Sequence, residues 1–291
     1  MVSKIIAPVL MLSLLTGCAT YRVAGWDKKD QVQVLSAKEE KQMMKNALAH
    51  WEKRHVKADL EQSLELLEKI SLSNPNNYEA FILLSRGSYI MAEHHVTSKE
   101  DKLKVWERGA YWGEKAMATN PEFKKSVTVL EKNVEDSLDT LTRAQVDAVY
   151  WSAVNLGKWG KLTGIATILK YKSRIKKMIQ TVEKLDPNYF YGAVYRYWGV
   201  YYAVAPFFAG ESLEKSLQNF EKSFKLQNDY LGTHVLFAEH YATRKGDKDL
   251  FKKRLKYVVD QKINVLKNIV PEQVLTQKKA KRMLANMESY F

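Results

Sequence analysis

The sequence predicts an all-α protein of stacked helix pairs, and three observations carry that prediction. Apolar residues recur at steps of three and four: Val56, Leu60, Leu64, Leu67 and Ile70, then Ile175, Met178, Ile179, Val182 and Leu185, then Leu213, Leu217, Phe220 and Phe224. A similar junction returns four times along the chain. The only strand-like alternation, Gln31-Val-Gln-Val-Leu35, is too short to build a sheet.

The junctions read Leu72-Ser-Asn74-Pro75 before Tyr78, Ala118-Thr-Asn120-Pro121 before Phe123, Leu185-Asp186-Pro187 before Tyr189, and Leu226-Gln-Asn228-Asp before Tyr230. In the three proline versions a polar residue that can cap a helix precedes proline. At the first helical position proline's missing N–H costs nothing, so each junction is expected to end one helix and begin the next. Pro75, Pro121, Pro187 and Asn228 stand 46, 66 and 41 residues apart. A tetratricopeptide unit is about 34 residues, so the sequence implies tetratricopeptide-like helix pairs with insertions. Such pairs bury their apolar faces by stacking and present a concave surface suited to binding. Ser36-Ala-Lys-Glu39 has capping-box spacing and opens the helical region; Thr142-Arg-Ala-Gln145 repeats that spacing. The repeat domain is therefore expected over 37–291.

Residues 1–17 have a different character. Lys4 precedes an apolar run from Ile5 to Leu15, and Leu15-Thr16-Gly17-Cys18 follows. The run is too short to span a bilayer, which needs roughly 20 residues, and reads as a signal peptide. Leu-Thr-Gly-Cys resembles the bacterial lipoprotein signal box, in which the cysteine is acylated and becomes the first residue. Cys18 is the only cysteine of the chain. An unpaired thiol is uncommon in an oxidising compartment, and lipidation (palmitate) accounts for it. Ala19 and Thr20 lack the aspartate that resembles an inner-membrane retention signal, which favours the periplasmic face of the outer membrane. Residues 18–36 have few long apolar side chains and read as a flexible tether, reaching roughly 20 to 25 Å.

Lys and Arg number 46 against 33 Asp and Glu, a formal charge of +13. Excess positive charge suits nucleic acid or an anionic membrane. Export removes the chain from nucleic acid, and the cations are spread over many helices; only Lys170 to Lys177 is dense. Solvated helix faces explain most of the charge. Nothing in the sequence specifies an enzyme: there is no Gly-x-Ser-x-Gly, Walker or Rossmann pattern. His94 and His95 are adjacent, and His234 and His240 are six apart, spacings that do not converge on one metal. No catalytic residue, metal site or cofactor is predicted.

Two segments are unusually aromatic. One holds Tyr150, Trp151, Asn155 and Trp159; the other holds Tyr191, Tyr195, Arg196, Trp198, Tyr202 and Phe207. Tyr191, Tyr195, Trp198 and Tyr202 are spaced 4, 3 and 4 and are expected to form one stripe. A packed core is the plainer reading. The alternative is that these ten residues line a cavity or channel, because rings bearing O–H or N–H groups need polar partners when buried. Arg196 could there meet an anionic group.

At these segments the sequence resembles the T-component family of TRAP-transporter-associated lipoproteins. The resemblance rests on Tyr150-Trp-Ser-Ala-Val-Asn-Leu-Gly-Lys-Trp159, Leu185-Asp-Pro-Asn-Tyr189, Ala205-Pro206 with Gly210, Phe220-Glu-Lys-Ser-Phe-Lys-Leu226, Phe237-Ala-Glu-His-Tyr-Ala242 and the stretch from Gln277 to Phe291. It implies an all-helical periplasmic lipoprotein that partners a solute-binding protein of a TRAP system and assists transport of a small organic ligand without catalysis. The membrane, through Cys18, and a second copy of the chain are further expected partners; nucleic acid is not. The rival reading is a helical scaffold for cell-envelope assembly with no ligand.

Overall fold

A computed structural model of the chain describes residues 20–27, 34–206 and 210–291, and among these no strand occurs. Helix α1 (Ala37–Trp51) opens on the expected capping box, with Ser36 and Glu39 satisfying each other's backbone N–H groups. It pairs with α2 (Lys57–Ser73). Helix α3 (Tyr78–Ile90) pairs with α4 (Lys99–Met117), and α7 (Val146–Thr163) packs on α4 and on α8 (Ile165–Leu185). Short helices α5 (Pro121–Thr128) and α6 (Val134–Ser137) bridge α4 to α7. Helix α9 (Tyr189–Val204) pairs with α10 (Leu213–Leu226). The chain ends in α11 (Leu231–Leu236), α12 (Thr243–Lys245), α13 (Lys248–Asp260) and α14 (Val270–Ala285).

All four expected junctions separate helices, but proline sits at a first helical position only at Pro121, where Asn120 accepts from the N–H groups of Glu122 and Phe123. Pro75 and Pro187 lie in turns two or three residues before the next helix. Asn77 caps α3 through its side chain, whereas Asn188 precedes α9 without a side-chain cap. A polar residue next to proline thus marked the boundary, while the turn geometry set which residue starts the helix.

The main core fills the space between α3, α4, α7, α8 and α9, with Phe81, Leu84, Met117, Val149 and Ile179 removed from solvent. The tightest approach is between α4 and α7. A Cβ on Gly109 would fall 2.4 Å from Asn155 Oδ1, and one on Gly113 would fall 2.6 Å from Ser152 Cβ. The two backbones meet because these positions carry no side chain. A second core joins α11, α13 and α14 around Phe251, Leu255 and Val258.

The last helix also returns to the first. Leu275 of α14 packs with Trp51, Leu60, Ile90 and Met91, so the C-terminal helix covers an apolar face of the N-terminal hairpin.

Residues 20–27, which the sequence assigns to the tether, are held against the helices. The Thr20 N–H donates to Thr167 Oγ1 at 3.0 Å, the Gly25 N–H to Glu114 Oε2 at 2.9 Å, and Arg22 forms a fully buried ion pair with Glu114. Trp26 meets Phe123 edge-on at 5.6 Å. Cys18 lies outside the described residues.

The α4–α7 contact yields a stability test. Gly113→Val should destabilise the fold by about 1 to 3 kcal/mol, the usual cost of overpacking, read as a lowered urea midpoint. Gly246→Ala, where a side chain meets open space but φ is +72°, should cost about 1 kcal/mol from backbone strain alone.

Candidate functional site

Two helices carry a π turn, Met91–His95 after α3 and Phe237–Ala242 after α11. A π turn inserts one residue into the helix and is frequent at functional positions. Each of these turns presents a carboxylate to the same amine. Lys279 Nζ of α14 lies 2.8 Å from Glu93 and 2.7 Å from Glu239, and Lys158 of α7 reaches the other oxygen of Glu93 at 2.8 Å. The side chains of Glu93, Lys279 and Glu239 are 13, 15 and 25% exposed, so this is an interior network rather than a surface one. Burial opposes ionisation of Glu93, but Lys158 and Lys279 outweigh it and hold the carboxyl well below its usual range. Glu239 is lowered for the same reason. Burial disfavours the charge on Lys279, yet Glu93 and Glu239 raise its pKa. Breaking such a buried set by removing one partner typically costs 3 to 5 kcal/mol.

A second ionic set lies nearby. Arg54 holds Glu272 of α14 with two hydrogen bonds, 2.9 and 2.7 Å, and donates to the carbonyls of Trp51 and Asn268. Arg86 of α3 bonds the same carboxylate. Two guanidinium groups therefore share one carboxylate, leaving one positive charge in excess. Arg86 stands over the rings of Phe190 at 4.9 Å and Trp151 at 5.7 Å, and its Nε is buried with no hydrogen-bond partner. It lines a cleft of about 500 Å³ with Asn188, Phe190, Tyr191, Gln227 and Asn268.

One wall of this cleft is a strained turn. Phe190, Tyr191 and Gly192 are left-handed, with φ of 42°, 58° and 77°. Only glycine adopts this readily; the other two cost about 1 to 2 kcal/mol each. Arg196, itself 3% exposed, holds the turn by donating to the carbonyls of Tyr191 and, at 2.7 Å, Phe190. Its guanidinium stacks on Tyr230 at 3.9 Å. Strain maintained by a dedicated buried arginine is a mark of a functional position. A further cavity of about 590 Å³ opens beside Ala203, Pro206, Glu211, His240 and Arg244 and is reached by Glu239 of the interior network.

The family model described as TRAP transporter T-component matches residues 54–291. The chain belongs to the TRAP transporter T-component family. No curated protein matches it. A T-component is an accessory part of a TRAP transport system, and among the described residues of this T-component no helix is long and apolar enough to cross a membrane.

The aromatic residues predicted to line a site are divided. Trp151 and Tyr150 gather with Phe190, Tyr189 and Tyr89 next to Arg86. Tyr191 stacks on Tyr230 and belongs to the left-handed turn, so it is out of register with the helical stripe that follows. Trp198 and Tyr202 form a separate group with Tyr197 and Tyr201, and Trp198 Nε1 donates to Glu183 at 3.2 Å. Lys222 sits over Tyr195. Trp159 is 3% exposed and packs on Tyr171 in another core, away from the cleft residues. Asn155 is fully buried and donates to the carbonyls of Ser85 and Trp151. Phe207 lies outside the described residues. Sequence reasoning missed Arg86, although it is the sole charge between Ala80 and Ala92 in an otherwise apolar stretch. It also missed Glu93, Glu239, Glu272 and Lys279.

Burial pushes the histidines His94, His234 and His240 down to about 4, against about 6.5 in an unfolded chain. Between pH 6.5 and 4 the unfolded chain therefore binds more protons than the folded one. Stability should fall as pH drops through that window, by up to about 2 kcal/mol per histidine at pH 5. Thermal melts from pH 7 to 5 should show a declining Tm, and His240→Gln should make the decline shallower; an unchanged slope would contradict it.

Proposed function

We propose that this T-component is an outer-membrane-anchored periplasmic lipoprotein, acylated on Cys18, that engages the solute-binding protein of its TRAP system and holds a small anionic organic ligand in the Arg86 cleft. The observation that carries the ligand reading is Arg86: a guanidinium in excess over its one carboxylate, flanked by aromatic faces and lining a cleft large enough for a small molecule. Such a site recognises a carboxylate through charge-assisted hydrogen bonds and the remaining carbon skeleton through ring contact. The role is passive. Arg86 and Asn188 orient the ligand, Phe190 and Tyr191 cover it, and Arg196 keeps the covering turn in place. No bond is made or broken.

The test is binding of a panel of short organic acids, followed by tryptophan fluorescence because Trp151 lies beside Arg86. Arg86→Gln should weaken binding by at least tenfold, while Arg86→Lys keeps part of it. Equal affinities in wild type and Arg86→Gln would remove the cleft as the site. Co-purification of the solute-binding protein from periplasmic extract tests the partner.

A second reading, the envelope scaffold without ligand, draws on the burial of Trp151, Trp159 and Trp198 at 5, 3 and 7% exposure. Under both readings Trp159 is core. Trp159→Ala should lower stability by about 3 to 5 kcal/mol and leave organic-acid affinity in the folded protein unchanged.

A further inference from the structure

The segment that precedes the helices is docked, and it docks beside the corner between α7 and α8. Thr20 bonds Thr167, in the first turn of α8. Tyr21 lies under the ammonium of Lys170, one turn further on. Arg22 and Gly25 both engage Glu114, whose side chain is 2% exposed. The position of Gly25 admits no side chain, since a Cβ there would fall 2.4 Å from the carbonyl oxygen of Tyr111. This is a fitted strap, fixed at several points.

The strap leaves little free chain. Cys18 is two residues from Thr20, and two residues span at most about 7 Å. An anchor at Cys18 therefore keeps the α7–α8 corner close to the surface that receives the lipid.

The corner is suited to that surface. Ile165 and Leu169, one turn apart on α8, are 64 and 45% exposed, and Tyr21 and Val23 of the strap are 79 and 64% exposed. These are two pairs of large apolar side chains standing in water, one on α8 and one on the strap docked to it; isolated exposed residues are ordinary, but two such pairs on adjoining segments point to a contact. Lys170 and Lys176 are exposed on the same helix. Apolar residues at a tip with lysines set behind them match a bilayer interface, where the former enter the acyl boundary and the latter meet anionic headgroups.

We infer that the α7–α8 corner, with the Tyr21–Val23 strap, is the face on which the protein rests against the bilayer, Ile165 and Leu169 entering the interface beside the lipid on Cys18. This rests on the acylation of Cys18 proposed above and adds to it a fixed orientation. The occupant of the apolar patch is the membrane that holds the lipid, and the domain lies on it with no long spacer between.

The test uses the full lipidated protein in vesicles of phosphatidylethanolamine and phosphatidylglycerol. Because Cys18 is the only cysteine and its thiol is consumed by the lipid, Leu169→Cys can carry a single environment-sensitive dye. Val265→Cys, 51% exposed in the natural protein, is the comparison. Nitroxide-bearing lipids should quench the dye at 169 several-fold more than at 265, with a blue-shifted emission only at 169. Ile165→Cys should behave like Leu169→Cys and serves if that variant folds poorly. Protein that floats with vesicles but shows equal quenching at 165, 169 and 265 overturns the orientation and leaves the anchor intact. Protein that fails to float overturns the anchor, and the orientation with it.

Discussion

Helix α14 is bound to the first hairpin by charge. Glu272 lies between Arg54 and Arg86, and Lys279 lies between Glu93 and Glu239. These contacts, together with Leu275 packed on Trp51 and Leu60, join the two ends of the helical array. Buried ion pairs rarely stabilise more than an apolar replacement would, because desolvation offsets their attraction. Their effect here is on geometry. They fix where α14 sits relative to α3 and α7, and the Arg86 cleft lies along that boundary.

The fold was legible because periodicity and junction chemistry are local. The steps of three and four in α2, α8 and α10 and the capping boxes at Ser36 and Thr142 appear as read, except that Val56 stands before α2 and is exposed. The π turns were not legible. Nothing in Met91–His95 or Phe237–Ala242 announces an inserted residue; the turns bring their carboxylates to a lysine 186 and 40 residues away. The left-handed turn was equally hidden. Gly192 hints at a positive φ, but Phe190 and Tyr191 adopt one where Arg196 binds their carbonyls.

The site was legible only in part, for a physical reason. Aromatic rings are conspicuous in sequence, so Trp159 and Trp198 drew attention, yet Trp159 packs in a separate core and Trp198 in the main core among Tyr197, Tyr201 and Tyr202. Lys279 sits within Lys278-Lys-Ala-Lys-Arg282 and looks like its solvated neighbours. Whether a lysine is buried depends on which helices pack over it, and no local spacing encodes that. Tyr150, Trp151 and Tyr191 did mark the neighbourhood of Arg86, and Arg86 itself could have been found as an isolated cation in an apolar run.

The strap has a consequence in time. Thr20 and Arg22 find their partners 147 and 92 residues later in the chain. The groove that receives the strap requires α4 and α8 to be complete. Contacts so distant in sequence form late, since closing the intervening loop costs entropy before any contact repays it. The order of maturation is then set by sequence separation. The helices assemble first, and the strap seats last on the finished groove between α4 and α8.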